Sequence, residues 1–461
     1  MSEIDPKRTA IDVGQVIEAP SARKLSRLVV ALCFIVMLVD GYDNAIISNA
    51  APILMDNWNV SAAAFGPVFS AATFGWMVGA TVFGTLADRT GRKAALVIGS
   101  FIFSFATLIV IFANSVSVLV VMRFIAGFGI GAAVPPAIVL TSEFAPGRSK
   151  AKFVTIMFSG FVVGGAVGSL LASWLIPTFG WHSMFIVGFV APMPAIACLI
   201  IFLPESIRWL AVRGNTSKHR QALIATLKKM APDLHIDENT QIIVAEEKKK
   251  EKYSIKQLFE GKLAIITPLL WSYYIISSLG LFFVSSWLPQ LFVQQGYSVA
   301  DASYWNGISL VFGIFGTVGV GFFLDKVGFK RGAIFPLFCA VTTALIGNMT
   351  GMMFIVIVSI ASFFRNGEHS ILTALAPNLY PVGIRSQADS IAISIAKIGS
   401  IAGPLVGGFL ISMGMSLQTL FYIVAAPFIL CTICCYALGY MYEKYLAPNQ
   451  AESSPKYDMA M

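Results

Sequence analysis

The stretch GTLADRTGRK, residues 84–93, decides the fold, because the chain repeats it. A second copy, GFFLDKVGFKR at residues 321–331, places Gly, Asp and Gly at the same spacing 237 positions later, and a basic pair follows. The same offset relates Arg148 in GRSKA to Arg385 in IRSQA. An offset that holds for separate segments indicates an internal duplication, in which both halves carry the same order of elements.

The composition places both halves in a membrane. Of 461 residues, 57% are hydrophobic and 12% charged, with a mean hydropathy of +0.77, whereas a soluble domain carries about 25% charged residues. The net charge of +8 does not indicate nucleic acid, since the basic residues lie between hydrophobic runs. All six cysteines fall within apolar runs. Even the C-x-x-C spacing of Cys431 and Cys434 therefore gives no reason to expect a metal or a cofactor.

Twelve apolar runs are long enough to cross the hydrocarbon region, which takes about 20 residues. They lie near residues 28–50, 66–87, 94–113, 117–141, 152–175, 183–203, 262–286, 302–325, 331–350, 352–377, 386–411 and 418–440. Lys and Arg occur in only one of the two sets of connecting loops. Because positively charged loops stay cytoplasmic, both termini are predicted to be cytoplasmic.

The predicted fold class is an all-α membrane protein of 12 transmembrane helices, arranged as two parallel six-helix repeats. The opening segment is polar and has no secretory signal pattern, so we expect a solvated tail. The polar insert between the halves is expected to form amphipathic helices along the inner membrane face. The predicted divisions are a tail at 1–27, a bundle at 28–203, a cytoplasmic linker at 204–261, a bundle at 262–440 and a tail at 441–461.

The repeated loop, G-x-x-x-D-x-x-G-R-K in its first copy, resembles the signature loop of the major facilitator superfamily. Three further motifs resemble that superfamily: RFIAGFGIG at 123–131, PESIRWL at 204–210 and GPLVGG at 403–408. The resemblance implies alternating access and a cytoplasmic gate made by the loop residues. An alternative is that the loop charges only anchor the cytoplasmic side. The expected gating residues are Gly84, Asp88, Arg92, Glu143, Arg148, Asp325 and Arg385.

Ionisable residues in the hydrocarbon region are functional candidates by default. Asp40 and Asp43 lie three positions apart near the middle of the first run, so both can face a cavity between the halves. Two neighbouring carboxylates in a poorly solvated site are not easily both ionised, so one is expected to carry a proton. Arg123 on the fourth run could keep the other ionised. The sequence does not say which aspartate is which, and an ion pair that only fixes packing is the alternative.

The second half is biased toward cations. Arg365 and Lys397 could capture a carboxylate substrate, although Arg365 could instead close a pair with Glu368, three residues away. Asn366 and His369 border these charges and could orient the substrate. Tyr274 on the seventh run could stack on a ring, or belong to an interfacial aromatic belt.

The DGYD motif at 40–43, with PESIRWL and GIRSQA, is similar to the aromatic acid/proton symporters of bacteria. The resemblance implies that Asp40, Asp43, Gly84, Asp88 and Arg123 are needed for transport. The chain departs from the pattern in Lys397, where arginine is expected, and in the charged RNGEHS segment at 365–370.

The predicted function is proton symport of an organic carboxylate, expected to be aromatic, across the bacterial inner membrane by a monomer in the lipid bilayer. The alternatives are a non-aromatic acid or a dicarboxylate such as muconate, a drug or organic-cation antiporter, and a chemosensor without flux. An enzyme is not expected, since no nucleophile, base and orienting group occur together.

Overall fold

The computed structural model describes residues 10–213, 217–232, 240–243, 255–381 and 383–446. In these ranges twelve helical spans are long and apolar enough to cross a membrane, as the sequence predicted. We number them spans 1 to 12. Spans 6 and 9 each consist of two helices. The helices are Arg23–Trp58, Ala62–Thr90, Arg92–Ile109, Val116–Phe144, Lys150–Phe179, His182–Val190 with Pro192–Phe202, Leu263–Gln294, Val299–Val327, Phe329–Gly332 with Ile334–Ile346, Gly351–Leu375, Arg385–Ser412 and Leu417–Met441.

Span 1 is longer than its predicted run of residues 28–50, because RKLSR continues the helix before that run and the mostly apolar APILMDNW continues it afterwards. Its 36 residues correspond to about 54 Å at about 1.5 Å per residue, well beyond the hydrocarbon thickness of about 30 Å. Asn59 ends the helix in a left-handed conformation with φ of 50°. Its backbone N–H donates to the carbonyl of Asp56 over 3.1 Å, a common helix termination.

Glycines let neighbouring spans approach closely, which is a main source of helix association in lipid. Gly127 and Gly131 of span 4 face the backbone of span 2, where an added Cβ would overlap the carbonyl oxygens of Ala72 and Trp76. This close packing fixes span 2 beside span 4 and so fixes the position of Trp76, which lies in the site described below.

The two halves meet on one side of the bundle. We call the side whose loops carry Lys and Arg the basic face, and the other side the neutral face. Toward the neutral face, Asn306 Nδ2 of span 8 donates to Ser169 Oγ of span 5 over 3.0 Å. Ser70 Oγ of span 2 donates to the carbonyl of Ile401 on span 11 over 2.7 Å. These contacts close the neutral face.

Residues 10–22 differ from the expected solvated tail. Ala10–Asp12 forms a strand that pairs in parallel with Gln241–Ile243 of the linker, and helix Val13–Glu18 follows. Val13 and Val16 are buried in a cluster that includes the apolar side of linker helix Ser217–Met230. The apolar side of that helix therefore packs against the tail within the described residues. The whole charged run EEKKKEKY, residues 246–253, and the last residues of the C-terminal tail, 447–461, lie outside the described residues.

Candidate functional site between the halves

Asp43 and Arg123 form a buried ion pair inside the first half. Arg123 Nη1 of span 4 donates to Asp43 Oδ1 of span 1 over 2.7 Å. Each residue is 2% exposed. The Nε of Arg123 has no hydrogen-bond partner within the described ranges. The predicted pairing of Arg123 with one aspartate is thus observed, and the partner is Asp43.

Asp40 lies one helical turn before Asp43 and is in a different environment. It is half-buried, and its carboxylate makes no hydrogen bond or ion pair in the described part of the chain. The charges that act on it come from Asp43 on its own helix, Arg123 of span 4 and Lys397 of span 11. Asp40 also borders a small apolar cavity of the first half, lined by Val36 and Ile130 among others. The two neighbouring carboxylates are therefore distinct: one is closed in a pair and one is open.

Lys397 belongs to the second half but reaches across to the first. Its Nζ lies 4.0 Å from the ring centre of Trp76 on span 2, within the range of a cation–π contact. No carboxylate among the described residues is in ion-pair contact with it. Its charge acts on Asp40 and on His369 of span 10. Lys397 is half-buried, so a ligand between the halves can reach it.

Arg365 and Glu368, by contrast, are enclosed within the second half. They are 3% and 0% exposed, and they form no ion pair with each other in the described structure. Ser277 Oγ of span 7 donates to Glu368 Oε2 over 3.0 Å. The same Oγ lies 3.0 Å from Nδ1 of His369. Because a hydroxyl has one proton, a His369 that donates from Nδ1 satisfies this arrangement. The alternative of a closed Arg365–Glu368 pair is therefore not what the structure shows.

Atoms without partners remain in this second cluster. Within the described residues, Arg365 Nε and Nη1, Glu368 Oε1 and the hydroxyls of Tyr273 and Tyr274 have no hydrogen-bond partner. Asn366 Nδ2 donates to the carbonyl of Ser362 on its own helix over 2.9 Å. Of the residues predicted to contact a substrate, Lys397 and His369 are half-buried toward the interface, whereas Tyr274, Arg365 and Glu368 are buried.

The signature loop is fixed within the first half. Arg92 Nη2 donates to Asp88 Oδ1 over 2.7 Å, and the Asp88 side chain is 70% exposed. Glu205 Oε1, from PESIRWL, accepts the backbone N–H groups of Arg92 and Lys93 over 2.8 and 3.1 Å. A carboxylate at the first turn of span 3 is favoured by the free N–H groups there.

The second half repeats this arrangement. Glu443 Oε1 accepts the backbone N–H of Lys330 over 3.0 Å at the start of span 9. Asp325 is exposed and forms no ion pair within the described ranges. A Cβ at Gly84 or at its repeat Gly321 would meet no atom within 4 Å. The loops of the two halves are thus built alike, and neither is closed against the other half in this conformation.

Two further gating candidates, Arg385 and Glu143, have their described neighbours within their own halves. Arg385 Nε donates to the carbonyl of Tyr380 over 3.4 Å. Glu143 Oε2 has no hydrogen-bond partner among the described residues, and Arg92 and Arg208 act on its charge. The side chain of Arg148 is outside the described part of the chain.

Sequence reasoning missed Trp76, Glu205, Ser169 and Asn306. Trp76 lies in an apolar run where an aromatic residue gives no distinct signal. The PESIRWL motif contains Glu205, but the motif alone does not assign it a function. A carboxylate directly after an apolar run is a signal that could indicate a helix-capping function.

Two six-helix repeats with ionisable groups at their interface are the architecture of a secondary transporter. The Major Facilitator Superfamily model matches residues 33–349 and 270–456. The chain therefore belongs to the major facilitator superfamily and is a multi-pass protein of the inner membrane.

Curated relatives match over most of the chain. A gallate transporter of Pseudomonas putida is 32% identical over 430 residues, which cover 92% of this chain and 94% of the relative. A 4-hydroxybenzoate transporter of Pseudomonas putida is 34% identical over 429 residues, 92% of this chain and 95% of the relative. The fold is similar to the crystal structure of a D-xylose-proton symporter, with a TM-score of 0.67 at 18% identity over 91% of this chain and 97% of that one.

Proposed function

We propose that the protein takes up an aromatic carboxylate together with protons, by alternating access, with its basic face toward the cytoplasm. One observation carries the proposal: an open carboxylate, Asp40, lies one helical turn from the closed Asp43–Arg123 pair, and a cation of the opposite half, Lys397, reaches across to Trp76 of the same half. A proton and an anion therefore have adjacent binding groups at the interface that changes during transport.

The two aspartates have different roles in this proposal. Asp43 is closed by Arg123, because its buried carboxylate accepts a hydrogen bond from the guanidinium over 2.7 Å. Asp40 makes no such bond within the described structure and is half-buried, so it can exchange a proton with water between the halves. Asp40 is then the proton carrier, and the ion pair holds span 1 in position.

The substrate class follows from Lys397 and from the relatives. An ammonium on a Trp76 ring offers a charge for a carboxylate and an aromatic surface next to it. The relatives named for gallate and 4-hydroxybenzoate support an aromatic acid. Arg365 and Glu368 are enclosed, so we assign them to the positioning of His369 and Ser277 instead of direct substrate contact.

Alternating access requires the basic face to close when the neutral face opens. In this conformation the contacts between the halves lie toward the neutral face. We propose that the open space at Gly84 and Gly321 is filled in the other conformation, in which the loop charges of Asp88 and Arg92 reach the opposite half.

Uptake by proteoliposomes under an imposed pH gradient tests the proposal. The panel is 4-hydroxybenzoate, gallate, benzoate, the dicarboxylate muconate and neutral 4-hydroxybenzamide. We expect accumulation of aromatic monocarboxylates only when the outside is acidic. Asp40→Asn should abolish uphill uptake, whereas Asp56→Asn, an exposed change on the same helix, should leave it intact. Full accumulation by Asp40→Asn would refute the proton role.

The same assay separates the alternatives. Muconate uptake without aromatic uptake would identify a dicarboxylate carrier. Proton release on addition of an organic cation would identify an antiporter, and binding without flux would identify a sensor. The half-buried cation Lys397 argues against a site built for cations, since it would repel them.

A further inference from the structure

Lys397 of span 11 crosses the boundary between the halves and reaches the part of the first half that carries Asp40 of span 1. Trp76, on which Lys397 lies, packs against the same hydrophobic cluster as Val39, the residue before Asp40, and the charges of Asp40 and Lys397 act on each other. Yet no ion pair joins them in the described structure. Lys397 instead lies on Trp76, 4.0 Å from its ring centre, in the same half as Asp40.

The charge balance of this group limits which states can reorient. With Asp43 and Arg123 neutralising each other, the empty site holds one negative Asp40 and one positive Lys397. A proton alone leaves the site with one net positive charge, and a monocarboxylate alone leaves one net negative charge. With both bound, the proton is on Asp40 and the substrate carboxylate replaces it as partner of Lys397. Net charge within a membrane is strongly unfavourable, so the empty and the doubly loaded states are the ones free to reorient.

We propose that Lys397 is an exchangeable counterion, which balances ionised Asp40 in the empty carrier and the substrate carboxylate once Asp40 has taken a proton. Lys397 keeps its own proton throughout, and the bond that forms is the O–H of the Asp40 carboxyl. Trp76 holds the ammonium between the two anions. The inference rests on the proposed function for the identity of the anion, and it adds the reason why proton and anion bind together.

Three other charged or titratable groups act on Asp40 or Lys397: Asp43, Arg123 and His369. Asp43 and Arg123 face Asp40 from spans 1 and 4, but they are closed on each other. His369 of span 10 faces Lys397 and is within 3.0 Å of Ser277. Asp43 is already paired with Arg123, and His369 has no carboxylate. Asp40 and the substrate therefore compete for one cation, Lys397.

A first experiment needs no substrate. Dicyclohexylcarbodiimide reacts with protonated carboxyl groups in membranes, and mass spectrometry of the span 1 peptide measures labelling of Asp40 against pH in full-length protein. Lys397→Gln removes the cation that favours the ionised carboxylate, so labelling should extend to higher pH by about one unit or more. Lys397→Arg should keep the wild-type profile. Lys262→Gln is the matched control, because Lys262 also lies on an aromatic ring, Tyr445 at 4.1 Å, but outside the site. An unchanged profile in Lys397→Gln would overturn the proposal.

A second experiment measures binding of 4-hydroxybenzoate to purified protein between pH 5.5 and 8.5. Wild-type affinity should fall as pH rises, up to tenfold per unit, because ionised Asp40 competes for Lys397. Asp40→Asn should bind tightly at every pH, and Lys397→Gln should lose at least tenfold in affinity at low pH. Retained pH dependence in Asp40→Asn would contradict the exchange. If wild type binds none of the panel acids, the proposed substrate class fails, and the labelling experiment still decides the pairing of Asp40 with Lys397.

Discussion

Removal of one member of the Asp43–Arg123 pair should destabilise the first half strongly. At 2.7 Å the attraction is about 6 kcal/mol for an effective dielectric constant of about 20, and desolvation offsets much of it. Breaking a buried pair from one side nevertheless costs about 3–5 kcal/mol, because the other charge stays buried without a partner. In Asp43→Asn, Arg123 stays buried at 2% exposure without its ion-pair partner. Asp40 is then the carboxylate whose charge still acts on Arg123, so the cost lies at the lower end of this range. We therefore expect the free energy of unfolding to fall by about 3 kcal/mol in Asp43→Asn.

The double variant makes this prediction specific. Asp43→Asn combined with Arg123→Gln removes both charges. The double variant should therefore regain at least half of the unfolding free energy that Asp43→Asn alone loses. Asp40→Asn should change stability by less than about 1 kcal/mol, since Asp40 makes no hydrogen bond in the described residues. Unfolding of the purified protein in mixed micelles of dodecyl maltoside and sodium dodecyl sulfate measures all of these. A loss below about 1 kcal/mol for Asp43→Asn, or no recovery in the double variant, would refute the reasoning.

Two further perturbations follow from the structure. Asn306→Leu removes the donor to Ser169 that joins the halves, so it should shift the carrier toward opening of the neutral face. The shift is measured as increased labelling of cysteines placed in that interface. Unchanged labelling would show that this bond does not hold the face closed. Glu205→Gln should lower the free energy of unfolding by about 1–3 kcal/mol, because a charged acceptor of two backbone N–H groups is lost. Glu260→Gln, a change at an exposed residue, should have no effect. Equal stability of the two variants would contradict the capping role.

The fold was largely predictable, and particular residues show why. The Gly, Asp and Gly shared by the two loops give the duplication directly, and the twelve apolar runs give the spans, because crossing a membrane demands a minimum length of apolar helix. The broken span 6 and the buried tail residues Val13 and Val16 were not predicted. The break in span 6 falls directly before Pro192, which lacks a backbone N–H, so it has a local cause. The burial of Val13 and Val16 instead depends on a partner far away in the chain, the linker helix Ser217–Met230.

The site was predictable as a set of residues and not as an arrangement. Asp40, Asp43, Arg123 and Lys397 all follow from the rule that charges inside a membrane need a reason. Nothing in their spacing says which aspartate Arg123 contacts, since both lie on nearly the same helix face. Lys397 was assigned to the substrate, and its approach to Trp76 of the other half was not foreseen.

The sequence by itself determined the number of spans, their duplication and the short list of buried charges, because these depend on local composition and on spacing along the chain. The tertiary structure alone decided the partners. It closed Asp43 on Arg123, left Asp40 open, enclosed Arg365 and brought Lys397 across to the first half. The physical reason is that the strength of a charge interaction depends on distance and burial, and both are set where helices far apart in sequence pack together.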